Sequence, residues 1–214
     1  MKLTFTYDRH HDIWCLLHYG KTSTNSSAST KIYEELVTGY GKNPSENDAS
    51  EFIEAHLTKN NLTVENLVKN LQENWEKIST EYHKRAENIF GVIVPHDITA
   101  YLTINTRCPY DIEHALLYVS TTYPDAVNKT AMHELWHFYT WYKYGSEWEK
   151  KLGTEKYNEI KEALTVLLNV ECQDLLPEGI TDKGCPQHQE LRQKILELWS
   201  KNKNMETLWN ILVR

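Results

Sequence analysis

The spacing of apolar residues along the chain has two different periods, and each predicts a type of element. Apolar and polar residues alternate in "KLTFTY" at positions 2–7 and in "ITAYLTINT" at positions 98–106, which predicts strands. The short runs "DIWCLLHY" at 12–19 and "EHALLYVSTT" at 113–122 also predict strands. Because only the polar residues 8–11 separate the first two segments, we expect a β-hairpin at the N-terminus.

Apolar residues at intervals of three and four predict helices over most of the remaining chain. The predicted helices cover residues 31–41, 45–57, 63–88, 125–145, 154–173, 187–201 and 205–213, and a loop of small polar residues is predicted at 21–30. This order predicts an α+β fold, in which a small antiparallel or mixed sheet is followed by a long helix and a C-terminal helical region.

A single domain over residues 1–214 is the expected organisation. Segment 1–90 would hold the hairpin and the first helices, segment 91–173 the sheet and two further helices, and segment 174–214 the last helices.

The composition restricts the classes of partner that we expect the protein to bind and the cellular compartment in which we expect it. A net charge of −7 and a pI near 5.8 argue against binding to nucleic acid or to an anionic membrane surface. The sequence has no apolar run of the ~18 residues that a transmembrane helix needs, and its first residues do not have the pattern of a signal peptide. The four cysteines are widely spaced, which predicts reduced thiols in a cytoplasmic protein.

The candidate chemistry lies in "AMHELWHFYTWY" at positions 131–142, within a predicted helix. Residues four apart lie about 40° apart around a helix, so His133 and His137 can bind one zinc ion together. Glu134 follows the first histidine, where its carboxylate can take a proton from a water on the metal and pass it to a leaving amine. The flanking residues are strongly apolar, and buried imidazoles need partners, which favours a metal over an accidental match.

A catalytic zinc requires a third protein ligand. The pattern H-E-x-x-H-x-x-G-x-x-H is absent, because Thr140 and Lys143 stand where it has glycine and histidine. Glu162 in "KEALT", 25 residues after His137, is the preferred third ligand. The other candidates are Glu159 and Glu171, which lie nearer the apolar face of the same predicted helix, and Glu178 in "PEGIT".

H-E-x-x-H followed by a glutamate on a second helix, with two strands before the motif, resembles the gluzincin branch of zinc metallopeptidases, in particular the short minigluzincins. The resemblance covers residues 98–173. It implies His133, His137 and Glu162 as zinc ligands and Glu134 as general base and acid. It also implies that an extended peptide or protein substrate adds to the sheet along an edge strand at 116–120. The chain departs from the branch at Val166, where many members have an acidic residue that holds a zinc-bound histidine.

Peptide hydrolysis further needs a donor that stabilises the oxyanion. Four residues after the motif are candidates: Tyr142, Tyr144, Tyr157 and His188. Among them His188, at the start of a predicted helix, is named as the donor, although its position favours a surface histidine over a catalytic one. Three alternatives remain beside an active peptidase. They are a non-catalytic zinc-binding protein, a helical interaction protein without metal, and a latent peptidase covered by its C-terminal helices. The oligomeric state is not predicted.

Overall fold

The computed structural model describes residues 1–21 and 29–214, so the predicted loop at 21–30 lies almost entirely outside the described residues. The strands are β1 (Leu3–Thr6), β2 (Ile98–Thr103), β3 (Tyr110–Asp111) and β4 (Leu116–Ser120). The α-helices are α1 (Arg9–Tyr19), α2 (Lys31–Tyr40), α3 (Glu46–Lys59), α4 (Val64–Phe90), α5 (Val127–Leu152), α6 (Thr154–Leu164), α7 (Leu168–Glu171), α8 (Gln189–Lys201) and α9 (Met205–Leu212). The predicted α+β class is confirmed.

The predicted N-terminal hairpin is wrong, because the second segment is helix α1. The side chain of Asp8 caps this helix by accepting hydrogen bonds from the backbone N–H groups of His10 and His11, at 2.9 and 3.0 Å. A short apolar run cannot by itself distinguish a strand from a buried helix, and here the cap decides. Strand β1 pairs instead with β2, in parallel and in the register Leu3 to Ile98.

The sheet has the order β1-β2-β4-β3, with β1, β2 and β4 parallel and β3 antiparallel to β4. The expected edge position of β4 is therefore wrong, because β4 lies between β2 and the two-residue strand β3. In the sequence, the residues near Pro109 have the pattern of a turn, and no pattern there predicts strand β3. Parallel pairing requires a long crossover, and residues 7–97 supply it between β1 and β2.

The chain divides into two compact units. The sheet unit comprises Lys2–Glu76 and His96–Ala131, and the helical unit comprises Met1, Lys77–Pro95 and Met132–Arg214. The organisation as one domain stays a prediction. None of the helices in the described part of the chain combines the length and the apolar character that a membrane-spanning segment needs.

Each unit has its own apolar core. In the sheet unit, α1, α2 and α3 bury residues that pack together with Ile104, which follows β2: Ile13, Leu16, Ile32, Tyr33, Leu36, Ala49, Ile53 and Leu57. The core of the helical unit is aromatic, and the Phe90 ring packs edge-on against Trp136 at a centroid distance of 5.1 Å. In the same core, the Tyr82 hydroxyl donates a 2.8 Å hydrogen bond to the carbonyl of Met132.

The two helices that carry the motif and the glutamate each depart from regular geometry. Helix α5 has non-helical dihedral angles at Gly145 (φ −40°, ψ −113°), where the sequence predicts the helix end, and then continues to Leu152. A Cβ at position 145 would lie 2.7 Å from Cδ2 of Trp141, so this approach requires glycine. Helix α6 tightens into a 3₁₀ turn at Thr165–Leu167 directly after its last residue.

Candidate metal centre

Helix α5 places His133 and His137 on one face, as the spacing predicts. Their Nε2 atoms lie 3.1 Å apart and their rings are nearly perpendicular, at 88°. His137 is 1% exposed, and the neighbouring Leu135 and Trp136 are fully buried. The apolar sequence around the motif therefore buries this part of the helix, and the two imidazoles converge on one point.

Helix α6 brings the carboxylate of Glu162 to the same point. Its Oε2 atom lies 3.7 Å from Nε2 of His133, and its Oε1 atom lies 3.5 Å from Nε2 of His137. Two ligands of a tetrahedral zinc ion, each about 2.05 Å from the metal, are about 3.3 Å apart. The separation of the two Nε2 atoms is 3.1 Å, and the nearest Glu162 oxygen, a different one for each histidine, lies 3.5 Å from His137 and 3.7 Å from His133. With one ligand atom taken from each residue, all three lie within 4.8 Å of one another.

Two imidazoles and one carboxylate fit a catalytic zinc ion, which has three protein ligands and leaves a fourth position for water. Among the described residues, His133, His137 and Glu162 are the one group of at least three His, Cys, Asp or Glu side chains whose ligand atoms lie within 4.8 Å of one another. We refer to these three residues as the triad.

The competing glutamates lie elsewhere. Glu159 forms an ion pair with Lys156, at 3.3 Å. Glu171 accepts hydrogen bonds from Nε1 of Trp199 and from Nζ of Lys203, at 2.8 and 2.6 Å. Glu178 is exposed. Geometry thus favours Glu162 as the third ligand.

Asp182 holds the second ring nitrogen of a triad histidine, a role for which the sequence indicates no residue. Its Oδ2 atom lies 2.5 Å from Nδ1 of His133. This contact fixes the orientation of the imidazole and leaves Nε2 directed at the triad, as metal-binding histidines require. Val166, four positions after Glu162, is buried and apolar, and the carboxylate that contacts His133 belongs to a residue 20 positions after Glu162.

Asp182 is held in turn by residues of the 3₁₀ turn that follows α6, of α8 and of its own loop. Its Oδ1 atom accepts hydrogen bonds from the Arg192 guanidinium at 2.9 Å and from the Gly184 N–H at 3.0 Å. Arg192 also donates to Oγ1 of Thr165, at 2.9 Å. Arg192 is 3% exposed and Asp182 is 8% exposed, so this is a buried ion pair with its hydrogen bonds satisfied.

The backbone around Asp182 is fixed as well. The side-chain amide of Asn169 donates to the Asp182 carbonyl and accepts from the Asp182 N–H, at 2.9 and 2.6 Å. Gly184 adopts a positive φ of 58°, and a Cβ there would lie 2.6 Å from Nη1 of Arg192. The loop therefore packs directly on the guanidinium, which only glycine permits at this position.

The electrostatics of the triad show how a cation would be held. Burial alone would lower the pKa of His133, but the hydrogen bonds to Asp182 and Glu162 raise it to about 10. Burial lowers the pKa of His137 to about 4. Burial would raise the pKa of Glu162, but the two imidazoles hold it well below its usual range. The site thus combines an ionised carboxylate, a neutral imidazole and a strongly basic imidazole, whose proton a metal ion would replace.

Glu134 is placed for acid–base chemistry. Glu134 is only 8% exposed. Burial raises the pKa of Glu134 to about 7, although the charge of His133 acts to lower it. A carboxyl group with a pKa near neutrality can both accept and release a proton at working pH.

Lys161 is a second residue that sequence analysis missed. It is 8% exposed, and its Nζ lies 3.3 Å from Oε1 of Glu162. A buried ammonium group beside a metal ligand adds positive charge to the site. Nothing in the sequence indicates a role for Lys161, because a lysine in a helix usually lies on the solvated face.

The four predicted oxyanion donors all belong to the helical unit. His188 ends a 3₁₀ turn, Pro186–His188, directly before α8. Tyr144 and Tyr157 pack in an aromatic cluster around Trp209, with the Tyr144 and Trp209 rings stacked at 3.9 Å. The predicted role in oxyanion stabilisation stays a prediction for all four residues, Tyr142, Tyr144, Tyr157 and His188.

Comparison of the chain with protein-family models, with curated proteins and with solved structures finds no match in any of the three. The resemblance to gluzincins stays a prediction, which rests on the H-E-x-x-H sequence and on the convergence of the triad.

Proposed function

We propose that this protein is a zinc-dependent peptidase of the gluzincin type. The observation that carries the proposal is the convergence of His133, His137 and Glu162 at separations of 3.1–3.7 Å, with Glu134 on the next position of the same helix. Support also comes from Asp182, because a carboxylate behind a metal-binding histidine is typical of zinc sites in enzymes.

The chemistry divides between the metal and the protein. A zinc ion held by the triad would polarise the scissile carbonyl and lower the pKa of a water towards about 7. Glu134 would accept a proton from the water as the water oxygen bonds to the carbonyl carbon, and would donate that proton to the amine nitrogen as the C–N bond breaks. The triad holds the ion, and Asp182 keeps the His133 ring in the orientation that binding requires. Lys161 contributes positive charge beside Glu162, in surroundings where burial strengthens its effect.

The proposed substrate is a peptide or protein, and the proposed location is cytoplasmic. Two of the four cysteines, Cys15 and Cys172, are buried as thiols, which fits a reducing compartment.

A latent peptidase is less well supported than an active one. In the latent form the C-terminal helices would cover the cleft, and their removal would release activity. Arg192 of α8 instead forms the buried ion pair with Asp182, so α8 supports the triad from behind. We therefore expect removal of α8 to weaken the site.

Cleavage of a quenched fluorescent peptide library tests the function, with zinc-loaded wild type beside Glu134→Gln. The substitution removes the acid–base group and keeps the triad, so it should lower kcat by roughly 10²–10⁴-fold while zinc stays bound. Glu147→Gln, an exposed residue of the same helix, is the matched control and should cleave like wild type. Equal turnover by wild type and Glu134→Gln would refute the peptidase proposal.

A further inference from the structure

The sheet unit has a pocket of about 450 Å³ that the proposed peptidase chemistry does not use. It is lined by residues of α1, of strands β3 and β4, and of the turn between these strands. Its size is within the range of small-molecule sites, which are about 300–1,000 Å³.

Aromatic rings form the walls of the pocket. Trp14 of α1 stacks on Tyr118 of β4 with 5.8 Å between ring centroids and 22° between planes, and Tyr19 lies 5.4 Å from Trp14. Trp14 is 42% exposed, and the other six tryptophans of the chain are buried or half-buried. The His18 ring also stacks on Trp14, with 5.0 Å between ring centroids and 24° between planes, so the pocket offers a ligand the part of the indole that these rings leave exposed.

The floor of the pocket is held rigid by contacts behind it. The imidazole Nδ1 of His11 lies within hydrogen-bond distance of the Tyr118 hydroxyl, at 2.9 Å. The His11 ring also stacks on the ring of Tyr101, with 3.6 Å between ring centroids and 9° between planes. Because these rings are already fixed, a ligand would lose little free energy in ordering them.

One carboxylate lies in the pocket wall. The Oδ1 atom of Asp111, in β3, accepts a hydrogen bond from the backbone N–H of His114 at 3.0 Å, and the Oδ2 atom lies 2.8 Å from Nδ1 of His114. Burial acts in the opposite direction, but these contacts lower the pKa of Asp111, so its carboxylate is ionised at neutral pH. An ionised carboxylate has about four lone-pair sites, and His114 uses two of them.

We propose that this pocket binds a small aromatic amine, with its flat ring packed against the exposed part of the Trp14 indole and its amino group hydrogen-bonded to Asp111. Aromatic packing against an indole favours a planar ring, and the apolar walls favour its burial. The single carboxylate gives the ligand its orientation. The same chemistry is present in a free arylalkylamine and in an aromatic residue at the N-terminus of a peptide.

Calorimetric titration of the full chain with tryptamine tests the proposal. Trp14→Ala should weaken binding at least tenfold, and Asp111→Asn should weaken it severalfold. Tyr123→Ala, which removes an aromatic residue 61% exposed and outside the pocket, should leave affinity unchanged. Leu116→Trp is a second variant, in which the larger side chain fills the pocket and should prevent binding.

Three further ligands test which chemical features of the ligand the pocket recognises. We expect 2-cyclohexylethylamine, which has the same ammonium group without a planar ring, to bind at least tenfold more weakly than tryptamine. Competition by Trp-Gly-Gly with a free N-terminus, but not by its N-acetylated form, would identify a peptide end as the source, and binding of tryptamine alone would identify a free amine.

The proposal is overturned if wild type does not bind tryptamine at millimolar concentration, or if Trp14→Ala and Leu116→Trp both bind it like wild type. Equal affinity for the cyclohexyl amine would also overturn it. These results do not depend on metal, so the titration is performed with zinc-loaded and with chelator-treated protein, and both should give the same affinity.

Discussion

Asp182 lies 2.5 Å from Nδ1 of His133, across 49 residues of sequence. The contact joins the loop between α7 and α8 to the helix that carries the H-E-x-x-H motif. Through it, the geometry of the candidate metal centre depends on a part of the chain that contains no metal ligand.

The first prediction concerns this contact. Asp182→Asn replaces the carboxylate with an amide, which cannot accept as strongly from the His133 ring, and should lower zinc affinity about 10–100-fold. Competition with a fluorescent zinc chelator measures the change. Asp174→Asn, which removes an exposed partner of Arg85, is the control and should leave zinc affinity unchanged. Equal zinc affinity in wild type and Asp182→Asn would show that the contact has no role in metal binding.

The second prediction concerns the support from α8. Arg192→Met removes one of the two buried cationic partners of the Asp182 carboxylate, the other being the His133 imidazole, and should cost up to about 3–5 kcal/mol of the free energy of unfolding. Chemical denaturation of the metal-free protein measures this cost, and chelator competition should show weaker zinc binding. A latent peptidase would behave differently, because loosening α8 would then raise the rate of peptide cleavage and leave zinc affinity intact.

The third prediction is a dependence of stability on pH that is separate from the metal centre. Burial lowers the pKa of His83 from 6.5 to about 4 in the folded protein. Between these pH values the unfolded chain binds the proton and the folded chain does not, so the stabilising contribution is present above pH 6.5 and is lost as pH falls towards 4. The loss amounts to about 3 kcal/mol.

Urea denaturation of metal-free protein between pH 7 and pH 4 tests this dependence. His83→Gln should lose stability less steeply than wild type over this range, since its side chain does not titrate. The exposed His10 provides the control, and His10→Gln should follow the wild-type curve. Identical slopes for His83→Gln and wild type would contradict the assigned pKa.

Much of the fold could be predicted because the signals are local. Helix α3 begins after Ser45, where Ser45 and Asp48 form a reciprocal capping box, and the sequence contains both residues. Helix α1 could not be distinguished from a strand, because an apolar run of eight residues fits either. The parallel pairing of β1 with β2 joins residues about 95 positions apart, and no local pattern reports it.

The candidate site divides in the same way. His133, Glu134 and His137 are visible in sequence because one helical turn sets their spacing. Asp182 and Arg192 are not, since their contacts depend on how α6, α7 and α8 pack after the 3₁₀ turn at Thr165–Leu167. The missing acidic residue at position 166 indicated that another group must hold a histidine, but only tertiary structure identifies it.

The central claim is that the triad binds zinc, and the most direct test is the zinc content of the tag-free protein by mass spectrometry. Wild type and Glu159→Gln should each contain about one zinc ion per chain, and Glu162→Gln, which removes the third ligand, should lose most of it. If wild type holds no zinc after reconstitution, or if Glu162→Gln retains as much zinc as wild type, the account of the metal centre is wrong.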